Sequence, residues 1–489
     1  MAYKLIFDSI DFRRLSNEPW LRALRAIDFR WRRTRIMSSQ DLIQVKVSDI
    51  KHIKIFYDDK MYAAHPNRGG IWNFGDGEIA VAHLLKPVDY KTGEGVHHDY
   101  SRGTGAGVML NRSFDEGETW PESERNWIWN NNRSVEEINT WLTSTSGEYE
   151  DIDMSHQDSI MHFGITNYMR QPDKLADELW QQEVNRGTTG QAYGATGSVE
   201  TSEFIRKSSI CMRSKDRGRS WKKTPGLIPI PSFIDGADKV KGNLTANLGY
   251  IKFPNGVLGI AAGAHYYVSY DQGLSWDYVS TVAYDPAGTY EYTYSGVHLL
   301  PSGRLLMSMH RLIRPLSDYP CVATSDDGGM TWSDPKYIVR PDRLPAEALP
   351  KPGEFELPVE KFNWFTKEGK PANTWFNAYR SPCALVTKSG RIVVVFGRRR
   401  PPYGIGGVVS DDEGETWSQE FVLRDDACVA DLGYPVMTEL NDGRIFTAYY
   451  IAVSDSDGNI PSIRQHRGLP ESAAWSAVRH VAGTSFRID

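Results

Sequence analysis

The sequence predicts an all-β fold assembled from copies of one short unit, and three observations carry that prediction. The pattern Ser-x-Asp-x-Gly-x-(Ser/Thr)-Trp occurs five times, at Ser113–Trp120, Ser214–Trp221, Ser269–Trp276, Ser325–Trp332 and Ser410–Trp417. Each copy has the chemistry of a tight hairpin: the Asp accepts hydrogen bonds from the turn backbone, the Gly takes a left-handed conformation, and the Trp packs under the turn. Ahead of the copies, paired apolar runs flank turns that end at Gly77, Gly256, Gly303, Gly390 and Gly443. Examples are Gly249–Phe253 with Val257–Ala262, Val297–Leu300 with Leu305–Met309, and Cys383–Thr387 with Ile392–Phe396. Such pairs around a Gly turn are the signature of strand hairpins. Finally, aromatic residues make up 12% of the chain, with 15 Trp and 24 Tyr. Only five of these Trp belong to the repeats, so the excess either supplies platforms for sugar rings or reflects the ordinary aromatic enrichment of strands.

Six units follow in order. They run over about 61–125, 150–225, 243–283, 289–340, 374–422 and 431–470. A length of 489 residues would ordinarily suggest two or three domains, but repeats extend a single domain instead. The sixth unit has no copy of the pattern. An early strand, Val45–Asp49 or His52–Tyr57, is expected to complete it, which would join the chain ends and remove an exposed sheet edge. A seventh unit is the alternative if 125–200 holds one without the pattern. Two stretches break the rhythm. Residues 168–202 are polar and Gly-rich, and 334–373 are Pro-rich and charged. Loops this long are usually functional or disordered, and the first reads as a lid or a subunit contact.

Residues 1–40 differ from the rest, with eight arginines between Arg13 and Arg35. They are expected to form a partly helical arm, leaving 41–489 as the repeat domain. The arm would pack on that domain or on a second copy of the chain, making a homo-oligomer. Membrane or nucleic-acid contact is the sharper alternative and a solvated basic face the plainer one. The net charge of −6 gives no global sign of a nucleic-acid partner. The four cysteines, Cys211, Cys321, Cys383 and Cys428, are far apart and lack metal-ligand spacing. No cofactor is expected. The N-terminus shows no basic-then-apolar leader and no apolar run of membrane-spanning length occurs. A cytoplasmic location without membrane contact is therefore expected, with a removed leader or a phage-borne role as alternatives.

The repeated pattern resembles the Asp-box of the sialidase superfamily, which marks the hairpin between the third and fourth strands of a propeller blade. The resemblance implies a six-bladed β-propeller of four-stranded antiparallel blades with a short N-terminal arm. In that superfamily the box lies away from the active site, and related propellers hydrolyse, eliminate or merely bind. The likeness therefore specifies fold more than reaction.

Site residues follow from the same resemblance, residue by residue. The segment Tyr434-Pro-Val-Met-Thr-Glu-Leu-Asn-Asp-Gly is similar to the stretch that carries the superfamily's tyrosine nucleophile, which places that role on Tyr434. A neutral phenol avoids the repulsion that a carboxylate would meet from an anionic sugar, and sialidases are the tyrosine exception among glycosidases. Three arginines would clamp the substrate carboxylate, because a guanidinium makes paired hydrogen bonds and keeps its charge. Arg68 stands at the expected interval before Gly77, although the Ile-Pro that follows in the superfamily is absent. Arg380 opens unit five. For unit four the candidates are Arg311 and His310, of which strand alternation allows only one to face the axis; Arg311 is favoured. Arg398, Arg399 and Arg400 are expected mainly at the rim, with one able to reach inward. The carboxylate that takes the tyrosine's proton should fall at Tyr294, and the nearest acid, Glu291, lies three residues earlier. The acid/base position falls on Asp99, with Asp89 as the fallback. His65, His97 and His98 form a histidine group without fixed metal-ligand spacing. His156 and Asp158 are expected at strand entry in unit two, where they could contact substrate, and His265 could also face inward.

Three functions remain open. The first is a retaining exo-glycosidase that releases a terminal α-linked sialic acid or related acidic sugar. The second is a lyase acting on uronic-acid glycans with a His or Tyr base. The third is a propeller that only binds glycans. Both enzyme readings share an acidic glycan substrate as partner.

Overall fold

The five Ser-x-Asp-x-Gly turns are built alike in the structure, a computed structural model. In each, the Gly amide N–H donates to the Ser Oγ, and that hydroxyl donates to Asp Oδ1, as at Gly117, Ser113 and Asp115 (2.8 and 2.7 Å). The Asp also accepts the backbone N–H and the hydroxyl of the residue four positions on, as from Thr331 to Asp327 (2.9 and 2.6 Å). In three turns the indole N–H of the closing Trp donates to the Gly carbonyl. The turns also dock blade to blade. A Cβ on Gly117 would stand 2.7 Å from Phe446, one on Gly218 2.9 Å from Leu110, and one on Gly414 2.8 Å from Leu306. Each of these side chains belongs to the preceding sheet, so the glycine is required by close approach as well as by its left-handed conformation.

The structure describes residues 44–90, 105–130, 132, 151–165, 209–228, 248–283, 290–313, 317–339, 379–399, 402–428, 431–453 and 477–489. All described strands lie in the unit Gln44–Asp489. The expected arm at 1–40, the stretch 168–202 and most of 334–373 fall outside the described residues. No helix among the described residues is long and apolar enough to cross a membrane.

Among the described residues the strands form six antiparallel sheets, arranged as an all-β propeller. Four sheets have four strands, one has five and one has three. The expected six four-stranded blades are thus met in five sheets, while the remaining one has three strands among the described residues. The fifth strand of the first blade is only apparent. Met61–Ala64 and Gly70–Asn73 both pair with Ile79–Pro87, as the two halves of one broken inner strand.

Apolar side chains on both faces of each sheet fill six cores between consecutive sheets. Ile392, Val394 and Phe396 pack toward Leu306 and Val322, whereas Val393 and Val395 pack toward Met437 and Ile445. Two-sided burial explains why these strands read as continuous apolar runs and not as alternating ones.

The ring closes as expected. Val47–Phe56 is the outermost strand of the last sheet and pairs with His480–Ile488, which pairs with Ile445–Ile451. The third strand of this blade therefore comes from the C-terminus, beyond the expected limit of about 470. The second blade also needs correction. Ile160–Ile165 pairs with Ser209–Ser214, Ile160 opposite Ser214, just as Ile79 stands opposite Ser113 in the first blade. It is a second strand, not a blade's opening strand.

Candidate active site

A recurring defect in the inner strands builds the site. Regular pairing breaks between Thr293 and Gly296, between Arg380 and Cys383, and between Gly433 and Val436. At each bulge one non-glycine residue adopts positive φ: Tyr294 at 50°, Ser381 at 49° and Tyr434 at 53°. In the first blade the break is larger. His65, at φ 55°, leads into a 3-10 turn over Pro66–Arg68, and the strand resumes at Gly70. Bulges re-aim side chains, and left-handed non-glycine backbone carries strain that clusters at functional sites. Four sheets thus turn a residue out of strand alternation at matching positions.

Those residues and their neighbours converge. The Tyr434 hydroxyl donates to the Tyr294 hydroxyl (3.2 Å), and Arg380 Nε donates to Tyr434 (3.0 Å). The two phenol rings meet edge to face, with centroids 5.1 Å apart at 83°. His65 lies against Tyr434 at 4.1 Å between ring centroids. His310 lies 5.8 Å from Tyr294. The Arg68 guanidinium stands 5.8 Å from the centre of the Tyr294 ring, and that of Arg399 5.5 Å from the Tyr434 ring. His65, Arg68, Tyr294, His310, Arg399 and Tyr434 are all buried.

Beneath this layer lies one carboxylate. Asp431 accepts the hydroxyls of Tyr62 and Tyr450 (both 2.6 Å) and Arg479 Nε (3.1 Å), with Arg399 Nη2 at 3.8 Å. Arg399 in turn donates to the Tyr450 hydroxyl (3.0 Å) and to the Leu432 carbonyl. Among the described residues of the cluster, four guanidinium groups, those of Arg68, Arg380, Arg399 and Arg479, thus accompany one carboxylate, which Arg399 and Arg479 approach. Such a site favours an anionic ligand.

The charges set the ionisation of the pair. Burial pushes the Tyr294 phenol up, but the charges of Arg380 and Arg68 and hydrogen bonds from Tyr434 and Arg68 outweigh it, leaving the pKa below the ordinary tyrosine value. Burial drives Tyr434 up to about 12, against Arg380 and Arg399 and with the negative charge of Tyr294 adding to the rise. His310 is held well below its usual value by burial and then by Arg380 and Arg399, so it is neutral.

The expected site residues separate into three sets. Tyr434, Arg68, Arg380, His65 and His310 come together in the cluster. Arg311 does not: it hydrogen-bonds Tyr337 on the outer strand and lies over Tyr292 and Tyr337. Strand alternation sends His310 to the cluster and Arg311 to the opposite face, reversing the favoured choice. His156 and Asp158 also lie elsewhere, in the turn before the second strand. There Asp158 accepts Arg217 Nε (2.5 Å) beside a Ser-x-Asp-x-Gly turn, with the exposed His156 ring 3.8 Å away. His265 sits by Thr281 and Tyr278 on the outer strands of its own blade. Asp99, His97 and His98 lie outside the described residues. Glu291 is on the strand Tyr290–Leu299, opposite Leu312, three positions before the bulge. Asp89 adjoins Tyr90, whose hydroxyl accepts the Arg479 amide N–H (2.9 Å).

Asp431 and Tyr450 escaped the sequence reading, Arg399 entered it only among three arginines expected mainly at the rim, and Tyr294 only as a slot lacking its acid. One signal was available for Tyr294. It precedes Gly303 by the same nine residues that separate Tyr434 from Gly443 and Ser381 from Gly390. Arg398 does face the rim, through Glu420 (2.6 Å), while its neighbour Arg399 turns inward.

Comparison with known proteins agrees with this architecture. A search of curated proteins returned no match. Among solved structures, a protein of unknown function from Dyadobacter fermentans superposes with a TM-score of 0.56 at 19% identity, over 91% of this chain and 99% of that one. A Hadza microbial sialidase and the Trypanosoma rangeli sialidase in complex with sialic acid align with TM-scores of 0.42 and 0.43, at 15% and 11% identity, over 87% and 89% of this chain. The chain spans 65% and 59% of the lengths of those two sialidases. Residues 188–447 match the BNR repeat-like domain, 260 of 489 residues. The chain belongs to the BNR repeat-like domain family, within the sialidase/BNR-repeat superfamily of β-propellers.

Proposed function

We propose that the protein is a retaining glycosidase of sialidase type, releasing a terminal α-linked sialic acid or related acidic sugar. One observation carries the reading: a buried tyrosine hydroxyl, that of Tyr434, held by Arg380, with the Arg399 guanidinium by its ring and that of Arg68 by the neighbouring Tyr294. Arg68, Arg380 and Arg399 would hold the substrate carboxylate, with Arg399 taking the place expected for Arg311. The Tyr434 oxygen attacks the anomeric carbon as the bond to the leaving oxygen breaks, and Asp99 protonates that oxygen. Asp99 then activates water to release the sugar from the tyrosine. The raised pKa of Tyr434 suits a nucleophile that stays neutral while an anionic sugar binds.

The test is release of fluorophore from an α-sialoside by wild type, Tyr434→Phe and Asp99→Asn proteins. Release by wild type with both variants slowed at least a hundredfold supports the reading. Undiminished release by Tyr434→Phe refutes it. A second reading, elimination on a uronic-acid glycan, is favoured by the groups that surround Tyr434. Among the described residues Tyr294 and His65 adjoin Tyr434, and His310 adjoins Tyr294; these are groups that can serve as bases of the lyase type, and no carboxylate hydrogen-bonds the Tyr434 hydroxyl. Ultraviolet absorbance of an unsaturated uronate product distinguishes the two.

A further inference from the structure

We propose that Tyr294 accepts the proton of Tyr434 when Tyr434 attacks, so that a phenol–phenolate pair does the work of an acid residue at this position. The proposal rests on the nucleophilic role of Tyr434 and names the group that activates it.

The geometry supplies the argument. The two hydroxyls are 3.2 Å apart and Tyr434 is the donor. Both residues sit at the same register of their blades, each at an inner-strand bulge with φ near 50°. The strained backbone aims the two phenols at each other across the axis, an arrangement that strand packing alone does not require. The groups facing Tyr294 from every side favour its anion. Arg68 approaches from the first blade, Arg380 from the fifth with its guanidinium 5.6 Å from the ring centre, and Tyr434 from the last. From its own blade His310 contributes a neutral ring. The lowered pKa of Tyr294 beside the raised one of Tyr434 makes Tyr294 the first of the pair to ionise, with the remaining proton on Tyr434.

In the attack, the Tyr434 O–H bond breaks and its proton passes to the Tyr294 phenolate. The Tyr434 oxygen bonds to the anomeric carbon, and the electron pair of the glycosidic bond leaves with the departing oxygen, which takes the Asp99 proton. On hydrolysis water bonds to the anomeric carbon and gives a proton to Asp99. Tyr434 then departs and recovers its proton from Tyr294. Both phenols end as they began.

Two measurements test this. Tyrosinate absorbance of the substrate-free protein, followed against pH, should reveal one tyrosine ionising below the ordinary value of about 10. That signal should vanish in Tyr294→Phe and persist in Tyr434→Phe. With a turned-over substrate, Tyr294→Phe should lose about 10²- to 10³-fold in kcat and lose the acid limb of its kcat/KM profile. Tyr294→Glu should recover part of the rate, with the acid limb moved toward the carboxylate range. A purely structural role would not move that limb. Survival of the early tyrosinate signal in Tyr294→Phe, or an unaltered pH profile in that variant while Tyr434→Phe is inactive, overturns this proposal and leaves the nucleophile reading standing. A Tyr434→Phe protein as fast as wild type removes both.

Discussion

The Gly329→Ala substitution tests whether the repeated turns hold the blades together. Gly329 has φ of 90°, and an added Cβ would stand 2.5 Å from Tyr266 Cδ1 and closer still to Cε1. Tyr266 belongs to the preceding blade, is fully buried and packs edge-on against Trp332, so its ring has nowhere to retreat. Left-handed backbone costs a non-glycine residue about 1–2 kcal/mol, and forcing atoms into a filled core costs about 1–3 kcal/mol more. The expected loss is therefore about 2–5 kcal/mol. Gly303 in the same blade is the control: its φ is 91°, and nothing lies within 4 Å of its added Cβ. Gly303→Ala should cost only the backbone contribution of about 1–2 kcal/mol. Urea unfolding of the two variants isolates the steric part as their difference. In a Tyr266→Ala background that difference should disappear. Equal losses for the two glycine variants in the wild-type background would refute the inter-blade role assigned to the turns.

Three further outcomes are expected. Asp431→Asn removes the carboxylate that, among the described residues, compensates Arg479 and Arg399, and should destabilise the fold by about 3–5 kcal/mol; a change under 1 kcal/mol in chemical denaturation contradicts the buried network. Five histidines, the buried His83, His162, His265 and His480 and the partly exposed His298, are each held at about 4, with removal from water as the largest cause. Their folded pKa is depressed from 6.5, so their contribution is complete above pH 6.5 and is lost as pH falls toward 4; a urea midpoint that stays flat from pH 7 to 4.5 would show that these rings are not held neutral. Removing residues 44–57 uncovers the edge of His480–Ile488, which should produce association visible by light scattering, whereas a monodisperse, equally stable truncated chain would deny that the closing strand matters.

The architecture was legible because its signals are local. A Ser, an Asp and a Gly within five residues satisfy one another's hydrogen bonds, so the hairpins could be recognised with no knowledge of the remaining chain. The closing strand was legible for a related reason: the last unit lacked a strand and an apolar segment near the start had none to join. The site was only partly so. Tyr434 stands nine residues before Gly443, as Arg68 stands nine before Gly77, and the interval survives folding. The same interval marked Tyr294, but expecting an acid there shifted attention to Glu291.

Choosing between His310 and Arg311 needed the third dimension. Both faces of an inner sheet are covered by neighbouring blades, so hydrophobic alternation does not mark the face that meets the cluster. His156 and Asp158 were misplaced because strand order within a blade depends on which segment pairs with Ser209–Ser214, a contact about fifty residues away in the chain. Arg399 and Asp431 act through a network drawn from Tyr62, Asp431, Tyr450 and Arg479, residues far apart in sequence that meet only when the ring closes. The sequence by itself determined the repeated turns, the all-β class and the closure, since each rests on short-range hydrogen bonding or on an unpaired edge. Only the tertiary structure decided which arginines, histidines and tyrosines share one buried, positively charged site, because that depends on where bulged inner strands from separate blades converge.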